Sequence, residues 1–257
     1  MTVQGPIEAE KLGITTIHEH LLIDLRDQFR EFAEVTRKAL SEQAVSIENL
    51  GVLRRNPLAI KDNMVISDIN TAEEETLAFK KAGGDTIVDA TSIGIGRDAR
   101  ALRSISRYTG VNIVAGCGYY YHDTHPADMD TKTIDDIAQE MLRDMNIGMN
   151  ETDIRAGVIG EIGLSQEIHP NEKKVLAASA IASLETGAGI IVHIFDWSKT
   201  GGYPAGIEAT DLLKKYGGWG YEHILTNIVP MMLDEGITRE QIDIILRENP
   251  KRFLDRK

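Results

Sequence analysis

The sequence predicts an α/β fold, a (β/α)8 TIM barrel of which only about five strands are identifiable. Three observations lead there. Five short apolar runs rich in β-branched residues are separated by segments of helical spacing or composition. The runs are near-continuously apolar, which suits parallel strands covered on both faces or closed into a barrel. The chain has 257 residues, a usual size for one such domain. A single domain over 1–257 is expected.

The elements follow in order along the chain. Ile14–His20 is the first strand. Asp24–Met64 is a long insertion with a helical piece around Gln28–Ala39, and its Asn56-Pro57 and Asp62-Asn63 punctuation suggests a loop over one barrel face. Thr71–Lys81, rich in Ala, Glu and Lys, is a helix that stops at Gly83-Gly84. The second strand, Thr86–Thr91, follows at once, and Asn112–Tyr120 is the third. Thr133–Met145 repeats Ile134, Ile137, Met141 and Leu142 at helical spacing, before a fourth strand at Gly157–Gly163. Glu172–Thr186 does the same with Val175, Leu176, Ala180 and Leu184, and Gly187 ends it ahead of the fifth strand, Ile190–Phe195.

Beyond Phe195 the pattern changes. Asp196–Pro204 reads as loop, and from there to Lys257 the segments are helical, with no convincing strand. Thr238-x-x-Gln241 is a capping box opening a last helix with Ile242, Ile245 and Leu246 on one face. A closed barrel needs three more β/α units, roughly 90 residues. An open five-stranded sheet would expose two edges and part of its core.

Composition is that of an ordinary globular protein, 42% apolar and 26% charged. With 28 basic against 40 acidic residues the formal charge is −12, which argues against binding nucleic-acid backbone or anionic membrane. Cys117 is the one cysteine and reads as a buried, inert thiol. No run of ~18 apolar residues and no signal pattern is seen, so a cytoplasmic protein is expected.

Four residues carry the candidate chemistry. His18 and His20, in TTIHEHLLID, stand two apart at the end of the first strand, so their imidazoles share a face while Glu19 points away. Glu161, in AGVIGEIGLS, places a carboxylate in a buried strand, which is costly unless it is paired or binds a metal. His193 ends the fifth strand in IIVHIF. Each alone has an ordinary structural explanation. Together, three strands each bring a ligand-type side chain to the end where barrel enzymes build their sites. Imidazoles with a carboxylate suit zinc or a similar ion, and a carboxylate can bridge two ions. His122 and His125 in YYYHDTHP read as surface histidines rimming the pocket, with Tyr119–Tyr121 partly lining it. GIGRDA at Gly94–Ala99 has the wrong spacing for a dinucleotide loop. His169 and His223 read as structural or solvated.

With these residues in place, the sequence resembles the phosphotriesterase family of the amidohydrolase superfamily, over nearly the whole chain. The likeness runs through GPIEAEKLGITTIHEHLLID, IVDATSIGIGRDARAL, TGVNIVAGCGYYYHDTHP, AGVIGEIGLS, ETGAGIIVHIF, YGGWGYEHILTNIVPMML and ENPKRFL. It implies two divalent metal ions, zinc first with manganese or cobalt as alternatives, held by His18, His20, Glu161 and His193. Glu161 stands where many members carry a carboxylated lysine, as in the glutamate-bridged branch. The family's sixth-strand histidine and eighth-strand aspartate are not found. GYPAGIEA resembles the start of the fifth helix, TDLLKKYGGWGYEHIL resembles the segment after the eighth strand, and the two abut near Ala205–Asp211. Asp196, Glu208, Asp211 and His223 are the nearby ligand types, none in the family's surroundings. Either a segment is missing from this sequence, or the barrel stops at five strands. The poor folding expected of a half-open barrel favours the first.

The resemblance implies hydrolysis of an ester-like bond in a small-molecule substrate, a lactone or carboxylic ester first, by attack of a metal-bound hydroxide. Organophosphate triesters are the alternative. Tyr120 is the candidate substrate-binding residue. A homodimer is compatible with this reading. The competing class is a non-catalytic truncated barrel acting as a metal-binding or interaction module.

Overall fold

The five predicted strands form one all-parallel sheet. In the computed structural model, which describes residues 1–29, 32, 34–195, 203–217, 225, 229–234 and 236–248, they are β1 (Thr15–Glu19), β4 (Thr86–Asp89), β5 (Asn112–Cys117), β6 (Val158–Ser165) and β7 (Ile190–Phe195). Their order in the sheet is β1-β4-β5-β6-β7, so sequential strands are neighbours. A separate antiparallel pair joins β2 (Ile23–Asp24) to β3 (Val65–Ile66).

The helices run from α1 (Val35–Ser41) and α2 (Leu50–Leu53) to α3 (Ile69–Lys81), α4 (Ala99–Thr109), α5 (Ile134–Asn146) and α6 (Pro170–Thr186). Past the sheet come α7 (Tyr203–Lys215), α8 (Val229–Asp234) and α9 (Arg239–Asp243). Local chemistry explains where they start. Asp68 and Asp98 accept backbone N–H bonds at the first turns of α3 and α4, and Thr133 and Thr238 build capping boxes on α5 and α9. Gly110 and Gly187 end α4 and α6 in the left-handed conformation that lacks a Cβ penalty only for glycine.

The core lies between the sheet and α4, α5 and α6. Ile113, Ala115 and Cys117 of β5 and Ile159, Ile162 and Leu164 of β6 are shielded from water, as are Leu102, Ile137, Met141, Val175 and Leu176. Each Ile, Leu, Val or Met side chain among them contributes about 1.5–3 kcal/mol on burial. Cys117 is buried as expected, and burial pushes its thiol up to about 12.

The insertion after β1 differs in detail from the sequence reading. In place of one helix over Gln28–Ala39 there are two pieces, a 3-10 turn at Arg26–Gln28 and α1. Phe29 and Glu34 both have extended backbones, so neither continues a helix. The Phe29 ring packs edge-on against Phe32 and under the Lys61 ammonium. Ile23 and Leu25 pack on Ile95, Tyr120 and Tyr121, so the insertion covers loops that follow β4 and β5. Leu184 also departs from its expected place, being exposed on α6. The third strand stops at Cys117, three residues early, because Gly118 turns the chain at φ 104°.

α7 passes unbroken through Ala205–Asp211, where the two family segments abut, and buries Ala205 and Ala209 against the core. Among the described residues no strand follows β7, and no helix is long and apolar enough to cross a membrane.

Candidate metal centre

Three strands deliver the site. His18 comes from β1, and His20 from one residue past its end; Glu161 comes from β6 and His193 from β7. His18 Nε2 lies 2.8 Å and His193 Nδ1 3.2 Å from Glu161 Oε2, while His20 Nε2 lies 3.4 Å from Glu161 Oε1. Ligand atoms of His18, Glu161 and His193 all fall within 4.8 Å of one another. The Glu161 side chain is 2% exposed, whereas His18 and His193 are each 36% exposed, so the group opens to solvent on the imidazole side.

Glycine makes room for this carboxylate. Gly160, at φ 126°, would press a Cβ onto the Ile191 carbonyl oxygen, and Gly116 would press one onto the Gly160 carbonyl oxygen. Only glycine fits at either place. The backbone is thereby free to turn so that the Glu161 N–H donates to the Ala90 carbonyl at 2.8 Å, tying β6 to the end of β4.

Burial by itself would raise the Glu161 carboxyl. The hydrogen bond from His193 and the neighbouring imidazoles outweigh it, leaving the group below its usual range and ionised at neutral pH. His20 shifts down, chiefly by burial, with Glu161 opposing and His18 and His193 adding to the fall. It therefore stays neutral, the form that binds metals. Imidazole nitrogens around an anionic, buried carboxylate are a donor set that zinc or a similar divalent ion accepts.

The His20 shift has a pH consequence. Its folded-state value lies below the unfolded one, so as pH falls the unfolded chain takes up the proton first, and stability drops. His125, also lowered by burial, acts in the same direction. Asp89, pushed up to about 6 by burial, takes up its proton first in the folded state and so offsets part of that fall as pH approaches 6. In chelator-treated protein the urea midpoint should fall from about pH 7.5 to about 6, the onset of histidine protonation. His20→Asn should flatten that dependence; a midpoint that rises over the same interval contradicts the assignment.

The other candidates separate clearly. The Tyr120 ring centroid lies 5.4 Å from that of His193, and all three tyrosines Tyr119–Tyr121 are buried. His122 and His125 do not behave as free surface groups. His122 Nδ1 lies 2.9 Å from Glu172 Oε1, its ring stacks on His169 at 4.5 Å, and His125 Nε2 donates to the Tyr120 carbonyl at 2.8 Å. His169 caps α6. The residues of GIGRDA are structural, with Arg97 pairing with Asp144 at 2.7 Å and Asp98 capping α4. Glu208 pairs with Lys173 at 2.6 Å on the outer helices. Asp196 and His223 fall outside the described residues.

Sequence reasoning overlooked two groups. Thr91 Oγ1 lies 2.9 Å from His20 Nδ1, and Asp89 accepts the Thr91 and Leu21 backbone N–H groups. The i, i+2 spacing of Asp89 and Thr91 at a strand end was the available signal. Glu172 is the other, a fully buried carboxylate accepting bonds from the backbone N–H groups of His122, Ser165 and His169 and from the Ser165 hydroxyl. Its signal was the four-residue capping-box spacing from His169.

Comparison with known proteins decides the family. The phosphotriesterase family model matches residues 1–202 and 204–254. The chain belongs to the phosphotriesterase family. A phosphotriesterase-related protein of Nematostella vectensis is 34% identical, covering 98% of this chain and 97% of that one. The N-acetyltaurine hydrolase of Danio rerio is 31% identical with the same coverage. Among solved structures, a resiniferatoxin-binding protein from Rhodobacter sphaeroides superposes with a TM-score of 0.75 at 28% identity, covering 98% of this chain and 93% of that one. A mutant PTE-like lactonase from Deinococcus radiodurans gives 0.62 at 26% identity, over 85% and 60%. The sheet is thus part of a (β/α)8 barrel, and the chain is a hydrolase. The match to the Nematostella protein runs over 340 aligned positions, more than the 257 residues present here, and the family match parts at residue 203.

Proposed function

We propose that this phosphotriesterase-family member is a cytoplasmic, metal-dependent hydrolase of carboxylic acyl bonds, with a lactone or carboxylic ester as its small-molecule substrate. His18, His20, Glu161 and His193 hold the divalent ions, two in number and zinc by preference. The observation that carries this reading is the convergence of three imidazoles from two strands on one buried carboxylate.

Bound there, divalent ions supply Lewis-acid polarisation of the substrate oxygen and a lowered pKa for coordinated water. The protein's own groups do the rest. Glu161 carries the negative charge that offsets the ions, and its two oxygens face different imidazoles, an arrangement suited to a bridge. Tyr120 binds substrate. Burial first, then the Glu161 charge, pushes its phenol well up, so it stays a hydrogen-bond donor next to His193. Exposure of His18 and His193 leaves the approach open to a small molecule.

The 340-position match and its parting at residue 203 support a barrel whose sixth-to-eighth strand region lies outside this sequence, within one domain. A second reading, hydrolysis of an N-acyl amide, is favoured by the N-acetyltaurine hydrolase relative, matched over 97% of its length. Both are acyl transfers to water and share the site.

Zinc-reloaded protein assayed against a lactone, an aryl ester, an N-acyl amide and an aryl phosphotriester tests the proposal. Turnover should be fastest on the lactone or ester. Fastest turnover on the amide selects the second reading, and turnover confined to the triester overturns the acyl assignment.

A further inference from the structure

Which nitrogen of His20 carries its proton is decided outside the ligand set. Thr91 is 1% exposed, so water cannot satisfy its hydroxyl. That hydroxyl faces two groups that can only accept, the Leu22 carbonyl oxygen at 3.0 Å and the Asp89 carboxylate, and it faces His20 Nδ1 at 2.9 Å. Its single proton goes to one of these two acceptors, so the Thr91 oxygen must accept from His20. His20 is then protonated at Nδ1. Its Nε2 carries a bare lone pair aimed at Glu161 Oε1, 3.4 Å away, long for an N–H···O bond. The reverse arrangement, with Thr91 donating to His20, leaves the buried Leu22 carbonyl without this donor.

The hydroxyl is itself held in place. One carboxylate, the fully buried Asp89, accepts the Thr91 N–H at 3.1 Å on Oδ1 and the Leu21 N–H at 2.8 Å on Oδ2. It clasps the end of β4 to the residue that follows His20. We propose that Thr91, held by Asp89, is a positioning residue that fixes His20 as the Nδ1–H tautomer and aims its Nε2 lone pair into the metal centre. The inference rests on the metal-centre reading above. Ligand imidazoles are commonly oriented by a partner on their second nitrogen. Here that partner is a neutral hydroxyl committed as an acceptor.

Two readouts test it in the full chain. Long-range 1H–15N correlation on chelator-treated protein, above the histidine titration range, should show His20 protonated at Nδ1; the signal is assigned by its loss in His20→Asn. Zinc competition against a chelator should show weakening by about 10- to 100-fold in Thr91→Val, the usual cost of losing such a partner. Thr91→Ser, which keeps the hydroxyl, should restore affinity to within about 3-fold of wild type, since it restores that partner. A wild-type His20 protonated at Nε2 overturns the inference. So does a folded Thr91→Val protein with unchanged tautomer and zinc affinity. If wild type takes up no zinc, the metal-centre reading fails, and the nuclear resonance result still reports separately on the Thr91–His20 bond.

Discussion

Glu161→Ala should abolish zinc retention and turnover together, while the folded chain persists. This carboxylate is the one anionic group among the four converging side chains, and three imidazoles face it at 2.8–3.4 Å. Without it, ions placed there meet only neutral nitrogens in a partly buried setting. Loss of an outer partner costs about 10- to 100-fold in metal affinity, and a direct anionic ligand should cost more. An affinity drop above about 100-fold by chelator competition is therefore expected. Glu161→Gln keeps the volume but not the charge and should fall close to the alanine variant. The competing view of a truncated barrel serving as an interaction module predicts almost no change in either variant. Unchanged zinc affinity in Glu161→Ala would refute the site.

The second large effect concerns stability. Glu172 is fully buried, and its two oxygens accept from three backbone N–H groups, the Ser165 hydroxyl and the His122 ring. These donors come from the loop after β5, the end of β6 and the start of α6. Burial tends to raise its carboxyl, but the backbone bonds from His122 and Ser165 prevail and keep it below its usual range. Glu172→Ala strands several buried donors, each costing about 1–3 kcal/mol when left unsatisfied, so a loss of about 3 kcal/mol or more is expected in urea unfolding. Glu172→Gln retains one acceptor and should lose less. A loss under about 1 kcal/mol, less than one stranded donor, would show that water replaces the carboxylate with ease.

Much of this was legible in the sequence because the signals were local and physical. The strands at Thr86, Asn112 and Ile190 begin where expected, since near-continuous apolar runs admit few alternatives in a covered parallel sheet. Thr238 caps the helix its spacing suggested, and the helical stretch expected over Thr133–Met145 forms α5. The two imidazoles of the HxH pair both reach Glu161 because strand geometry puts alternate residues on one face, even though His20 lies just beyond β1. The features that were not legible depended on distant partners. The Asp24–Met64 insertion has no strong period, and Phe29, which breaks its expected helix, is held by Phe32 and Lys61. His122 looked like a surface group because Glu172, its partner, lies 50 residues away. Thr91 was hidden for the same reason: it meets His20 across 71 residues of chain.

One titration shows whether hydrolysis depends on an ion held by His18, His20, Glu161 and His193. Chelator-treated protein is reloaded with zinc in steps, and lactone or ester hydrolysis is followed on the same sample. Turnover should be negligible at the start, rise in step with bound zinc, and not rise in Glu161→Ala. Hydrolysis by the stripped protein at the rate of the reloaded one, or zinc uptake that leaves the rate unchanged, would contradict it.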